Sequence, residues 1–179
     1  MVYLFLAEGF EEIEALTPVD ILRRGGVEVT TVGVTGKTVK GSHGITVVCD
    51  REMDECDFSD LEMLVLPGGM PGTLHLSQSE KLCELIQKTA EQKRILAAIC
   101  AAPTVFGKLG LLKNRPYTCY PGCETGMDGR YTGADCEVFR EDFLLITANG
   151  PGAAARFSFR LLEALRSGSE KAIRLAMQY

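Results

Sequence analysis

Short apolar runs rich in β-branched residues alternate along this chain with longer stretches of helical periodicity, and that alternation constrains the fold most. Val2–Ala7, Val27–Val34, Met63–Leu66, Ile95–Ile99 and Phe143–Thr147 each read as a strand. Helical patterns lie between and after them, at Phe10–Arg24, Glu80–Gln92, Ala102–Leu109 and Ala153–Arg166, with a final amphipathic one at Ser169–Gln178. Strands without a polar face need cover on both sides. Helices between them allow the crossovers of a parallel sheet, so the pattern predicts an α/β fold built from βαβ units. Two segments break the rhythm. Val39–Val48, with Gly41-Ser42-His43-Gly44 at its centre, predicts a hairpin or small strand insertion, and Tyr117–Glu137 predicts a loop with short antiparallel strands at a sheet edge. Pro18 interrupts the first helical pattern and predicts a kink there or a second start at Thr17.

The length of 179 residues fits one domain spanning 1–179. Nineteen basic against 24 acidic residues give a net charge of −5, which argues against nucleic acid or an anionic membrane as partner. No apolar run approaches the ~18 residues of a membrane span. The N-terminal stretch has no basic flank of the secretory kind. With seven cysteines, an odd number, reduced thiols and a cytoplasmic location are expected. Cys119 and Cys123 are the only close cysteine pair, and the only histidines are His43 and His75, both in loop-like contexts that suit structural roles. No metal site is expected from this set.

Ligands of open parallel sheets bind beyond the carboxyl ends of the strands. The residues there are Glu8-Gly9, Pro67-Gly68-Gly69, Cys100 and Ala148-Asn149-Gly150-Pro151-Gly152. Cys100 lies between a strand and a helix, with Ala98 and Ala102 two positions to either side and Pro103 in the first helical turn. Such a corner suits a nucleophile elbow, which needs small residues at those positions. A helix N-terminus also favours thiolate, so a depressed Cys100 pKa is expected. The other reading is a buried inert cysteine. Glu14 falls on the apolar face of the first helix, where a carboxyl must be paired or protonated; alternatively it lies at the rim and reaches water. Glu12 points the other way and reads as solvated. Gly68-Gly69 can present backbone N–H groups to an oxyanion, or serve only a tight turn. Gly150-Pro151-Gly152 reads as a close helix–sheet contact.

Taken together, Glu11-Glu12-Ile13-Glu14, Pro18-Val19-Asp20, Arg23-Arg24, Leu66-Pro67-Gly68-Gly69, Ala98-Ile99-Cys100-Ala101-Ala102-Pro103 and Gly150-Pro151-Gly152 give the chain its resemblance to the DJ-1/ThiJ/PfpI family, in particular its DJ-1 branch. The resemblance covers nearly the whole length. It implies a flavodoxin-like three-layer sandwich with a mostly parallel central sheet, akin to class I glutamine amidotransferases, and a homodimer. It also implies a reactive Cys100, a protonated Glu14 beside it, oxyanion contacts from the N–H groups of Gly69 and Ala101, and no cofactor or metal.

Two positions depart from the family. Where the DJ-1 branch commonly has a histidine facing the cysteine this chain has Tyr120, and where the PfpI branch has a histidine directly after the cysteine it has Ala101. A Cys–His couple for peptide hydrolysis therefore lacks its base, and protease activity is not expected. His43 stands near the position of an arginine that the family brings in from the partner subunit. The implied function is a cofactor-independent glyoxalase or deglycase acting on a methylglyoxal-type aldehyde or an early glycation adduct, with Tyr120 assisting. The alternative is a redox sensor without turnover. Cys119, one residue before Tyr120, is expected either to pack as a small core residue or to resolve an oxidised Cys100.

Overall fold

The computed structural model describes residues 1–179. In chain order the elements are β1 (Val2–Leu6), α1 (Glu12–Arg24), β2 (Val29–Gly33), β3 (Thr38–Lys40), β4 (Thr46–Val48), β5 (Arg51–Glu52), β6 (Met63–Leu66), α2 (Gly72–Gln78) and α3 (Glu80–Glu91). There follow β7 (Ile95–Ile99), α4 (Pro103–Lys108), β8 (Pro116–Tyr117), β9 (Arg130–Tyr131), β10 (Cys136–Arg140), β11 (Leu144–Ala148), α5 (Ala154–Leu165) and α6 (Glu170–Ala176).

Seven strands form one sheet in the order β10-β11-β7-β6-β1-β2-β5, parallel except for β10, which closes one edge antiparallel to β11. The interior strands β1, β6 and β11 are buried along their whole length, as strands covered on both faces must be. Alternate side chains feed two cores. Leu4, Leu6, Val65 and Ile99 meet α1 and α5 on one face, through Ile21, Leu22, Phe157 and Leu161. Phe5, Leu64, Leu66 and Leu96 meet α2, α3 and α4 on the other, through Leu76, Leu82, Ile86 and Phe106. The result is the expected α/β sandwich.

Helix α1 runs through Pro18 without a break. Its packing on α5, with Ala15, Val19, Ile21 and Leu22 buried, outweighs the one backbone hydrogen bond that proline removes. The 38–48 segment is the expected antiparallel hairpin. The expectation for 117–137 needs correction: β8 and β9 pair in parallel, because the chain loops out after Tyr117 and returns in the same direction, and only β10 is antiparallel. Helix α2 carries no long periodic pattern and was not legible beforehand. Helix α6 buries none of its residues.

Register brings the site together. Ile95 is level with both Met63 and Leu144, so β6, β7 and β11 run in step and their carboxyl ends open on one side of the molecule.

Candidate active site

Cys100 follows the last residue of β7 and has φ 64°, a left-handed conformation that a side chain with a Cβ adopts only when its surroundings impose it. Both of its backbone groups are tied. Its N–H donates to Ala148 O at 2.9 Å, and its carbonyl accepts the Tyr120 N–H at 2.8 Å. Ala98 and Ala102 are fully buried, leaving room for the turn into α4 at Pro103. The elbow brings the thiol beside the backbone N–H groups of Ala101 and Gly69, both of which favour its ionised form.

Gly68 and Gly69 are required by space. A Cβ at Gly68 would lie 2.7 Å from both Cys100 Cβ and Glu14 Oε2, and one at Gly69, where φ is 91°, would lie 2.6 Å from Gly9 O. Glu14 is completely buried. Its Oε2 accepts the Gly68 N–H at 2.9 Å, its Oε1 has no hydrogen-bond partner of ordinary geometry, and the carboxyl reaches the Cys100 thiol.

Burial lifts the Glu14 carboxyl to about 7, against the lowering contacts from Cys100 and Gly68. The thiol departs from the depressed pKa read from the sequence. Burial and then the Glu14 charge push it up to about 12, outweighing the two N–H donors. The Glu14 contribution exists only while that carboxyl is ionised. The thiol and the carboxyl are therefore a coupled pair, in which ionisation of one raises the other.

The remaining predicted residues fall around this pair in different ways. Tyr120 is held through its backbone, while its ring is half exposed and lies along Gly150. Its hydroxyl makes no hydrogen bond within the chain. Cys119 is fully buried among the side chains on the α2–α4 face, the packing alternative of the two readings, whereas Cys100 packs against the α1–α5 face. All seven thiols are free. His75 Nδ1 lies 2.9 Å from Glu8 O. His43 is exposed and sits on its own chain's Glu12 and Glu11, at 3.1 and 3.4 Å.

Glu12 corrects the sequence reading. It is 6% exposed, covered by the turn at the tip of the β3–β4 hairpin. Helical angle alone could not show this, because the covering turn comes thirty residues later in the chain. Glu11, Glu12 and His43 are the one cluster of metal-ligating type, with ligand atoms within 4.8 Å of one another, but two N–H groups of the turn already occupy Glu12 Oε1, and Ser42 Oγ and His43 Nδ1 lie on Oε2. No cavity of the chain is lined by Cys100 or Glu14; the largest, about 610 Å³, lies between α5 and α6.

Residues 1–164 match the family model described as the DJ-1/PfpI family. The chain belongs to the DJ-1/PfpI family. It is 34% identical over 169 residues to protein dj-1beta of Drosophila melanogaster, covering 94% of this chain and 90% of that one. It is 32% identical over 164 residues to a Caenorhabditis elegans protein named a glutathione-independent glyoxalase, covering 92% and 87%. Among solved structures, oxidized Toxoplasma gondii DJ-1 superposes with a TM-score of 0.89 at 31% identity, over 99% of this chain and 97% of that chain. No helix is long and apolar enough to cross a membrane.

Proposed function

We propose that this protein is a cofactor-independent glyoxalase of the cytoplasm, acting on methylglyoxal-type α-oxoaldehydes or the early adducts they form. One observation carries the reading: a thiol on a strained elbow faces two backbone N–H groups and a carboxyl whose pKa, about 7, matches that of a general base at neutral pH. The glyoxalase name of the nematode relative supports it.

In this reading the Cys100 sulfur adds to the aldehyde carbon while Glu14 takes the thiol proton. The N–H groups of Gly69 and Ala101, with Gly68 shaping the wall behind them, hold the developing alkoxide, which then takes the proton from Glu14 to give a hemithioacetal. Glu14 next removes the hydrogen of that carbon as a proton, and its electron pair forms an enediolate. The proton returns to the neighbouring carbon, the former aldehyde carbon becomes a thioester carbonyl, and water releases the 2-hydroxy acid and the thiol. The sum is aldehyde plus water to 2-hydroxy acid, with no outside oxidant. Tyr120, at the rim, contacts the substrate rather than the reacting proton. Lactate formation from methylglyoxal by wild type, Cys100→Ala and Glu14→Gln tests this. Both variants should fall to background, and equal lactate from Cys100→Ala would refute the mechanism.

The unpartnered Glu14 Oε1 favours a second reading, a redox sensor. Peroxide would oxidise Cys100 to a sulfinate held by the same N–H groups and by protonated Glu14. Robust turnover at low aldehyde concentration separates the enzyme from the sensor. In either case a homodimer is proposed. Ile13, Leu16, Ile45 and Val48 are exposed apolar side chains on α1 and on the hairpin docked to it, the surface flanking a site that has no enclosed cavity in the single chain.

A further inference from the structure

Glu12 is a buried carboxylate without a basic residue fully committed to it, and its hydrogen bonds all lead to one turn. Oε1 accepts the backbone N–H of His43 at 2.8 Å and of Ile45 at 3.2 Å. Oε2 lies 3.3 Å from Ser42 Oγ and 3.1 Å from His43 Nδ1. The fit is close on the other side as well, since a Cβ at Gly41 would fall 2.7 Å from Glu12 Cγ. Burial alone would raise this carboxyl, yet the hydrogen bonds hold it below its usual range.

The turn held in this way is stitched to the loop after β1. Gly9 N–H donates to Lys40 O, and Ser42 N–H donates to Phe10 O. That loop is the bed on which Gly69 rests. A Gly69 Cβ would lie only 2.6 Å from Gly9 O, Glu11 N–H donates to Gly68 O at 2.9 Å, and Thr73 N–H donates to Gly69 O. Gly68, one residue before, packs directly on Cys100, since a Cβ there would lie 2.7 Å from Cys100 Cβ, and the Gly69 N–H is one of the two donors that favour the thiolate. A continuous set of short contacts thus runs from Glu12 through the turn and the 9–11 backbone to the oxyanion donor.

We propose that Glu12 is a positioning residue for the Cys100 site: its carboxylate fastens the 41–45 turn against the loop under Gly69 and so keeps the Gly69 N–H on the sulfur. The inference rests on the reading of Cys100 as the nucleophile, but its test does not need turnover. Iodoacetamide alkylation of Cys100, followed on the Cys100 peptide by mass spectrometry from pH 5 to 9, reports thiolate stabilisation directly. Glu12→Ala should slow alkylation at pH 7 roughly tenfold and move its midpoint upward, the scale of one hydrogen bond to a charged group. Glu12→Gln, whose amide oxygen still accepts the two backbone N–H groups, should stay within about twofold of wild type, whereas Glu12→Met, which keeps the bulk without those acceptors, should slow like Glu12→Ala. Gly41→Ala should behave like Glu12→Ala by pushing the carboxylate out of the turn, and it decides the matter if Glu12→Ala does not fold. A folded Glu12→Ala or Gly41→Ala with the wild-type rate and midpoint would overturn the proposal. If these shifts appear while wild type makes no lactate from methylglyoxal, the glyoxalase reading falls and the role of Glu12 stands.

Discussion

Glu14 and Cys100 meet across a residue with no side chain: Gly68 gives its N–H to Glu14 Oε2 at 2.9 Å, and the space a Cβ would take there is bounded by Cys100 Cβ and Glu14 Oε2, each at 2.7 Å. The acid comes from the first helix and the thiol from the end of β7, so this contact is made only once the sheet is assembled. Gly68→Ala should therefore act as an overpacking substitution inside the site, costing about 1–3 kcal/mol. Urea unfolding measures the cost, and alkylation of Cys100 should slow in the same variant. Wild-type stability and reactivity in Gly68→Ala would contradict the packing described.

The pH dependence of Cys100 reactivity should follow the pair and not the thiol alone. Loss of the first proton from the pair, near pH 7, yields the reactive monoanion, so alkylation and turnover should both rise through about pH 7. In Glu14→Gln the step near 7 should vanish and the alkylation midpoint should move above the ~8.5 of a free thiol, because burial then acts on the sulfur without a neighbouring base. An unchanged midpoint in the variant would remove Glu14 from the mechanism.

Glu14 should also leave a mark on stability. Its folded pKa, about 7, stands above its ordinary 4.5. Between those values the folded protein holds a proton that the unfolded chain has released, so unfolding is favoured as pH rises. The contribution is full below pH 4.5 and is lost as pH climbs through 7, by about 3 kcal/mol. Relative to wild type, Glu14→Gln should gain stability between pH 5 and pH 8, as read from denaturant midpoints. A constant difference across that range would show that the carboxyl does not titrate as described.

Peroxide should oxidise Cys100 without engaging Cys119. The second thiol is sealed in the opposite core, and burial pushes it up to about 12. Non-reducing peptide maps after mild peroxide should show Cys100 sulfinate and free Cys119. A Cys100–Cys119 cross-link would require the sheet to open and would contradict this packing.

Sedimentation at micromolar concentration should show a dimer that Ile13→Glu converts to monomer while far-UV circular dichroism is kept. A monomeric wild type would remove the dimer proposal. So would a dimer indifferent to this change and to Val48→Glu.

The sheet strands were legible because strands covered on both faces must be apolar throughout: Met63–Leu66 and Ile95–Ile99 were read to the residue. The elbow was legible in Ala98, Ala102 and Pro103, since small residues and an early proline leave a local trace. Glu14 could be placed on an apolar face but not against its partner, because the thiol lies on another strand. What local pattern could not show was tertiary. Glu12 appeared solvated because its cover is a distant turn. The Cys100 pKa appeared depressed because the dipole argument sees the helix and not the burial or the neighbouring carboxyl. Helix α2 is seven residues long and was too short to display a period.

The strand that leads into Cys100 lies inside the sheet, with β6 on one side and β11 on the other. Strands so placed open to solvent last, since their backbone bonds exchange only when the whole domain lets go. The backbone that carries the thiol is therefore protected from fraying at β10 or at α6. Heat or denaturant should therefore leave the folded-state alkylation rate of Cys100 unchanged until cooperative unfolding.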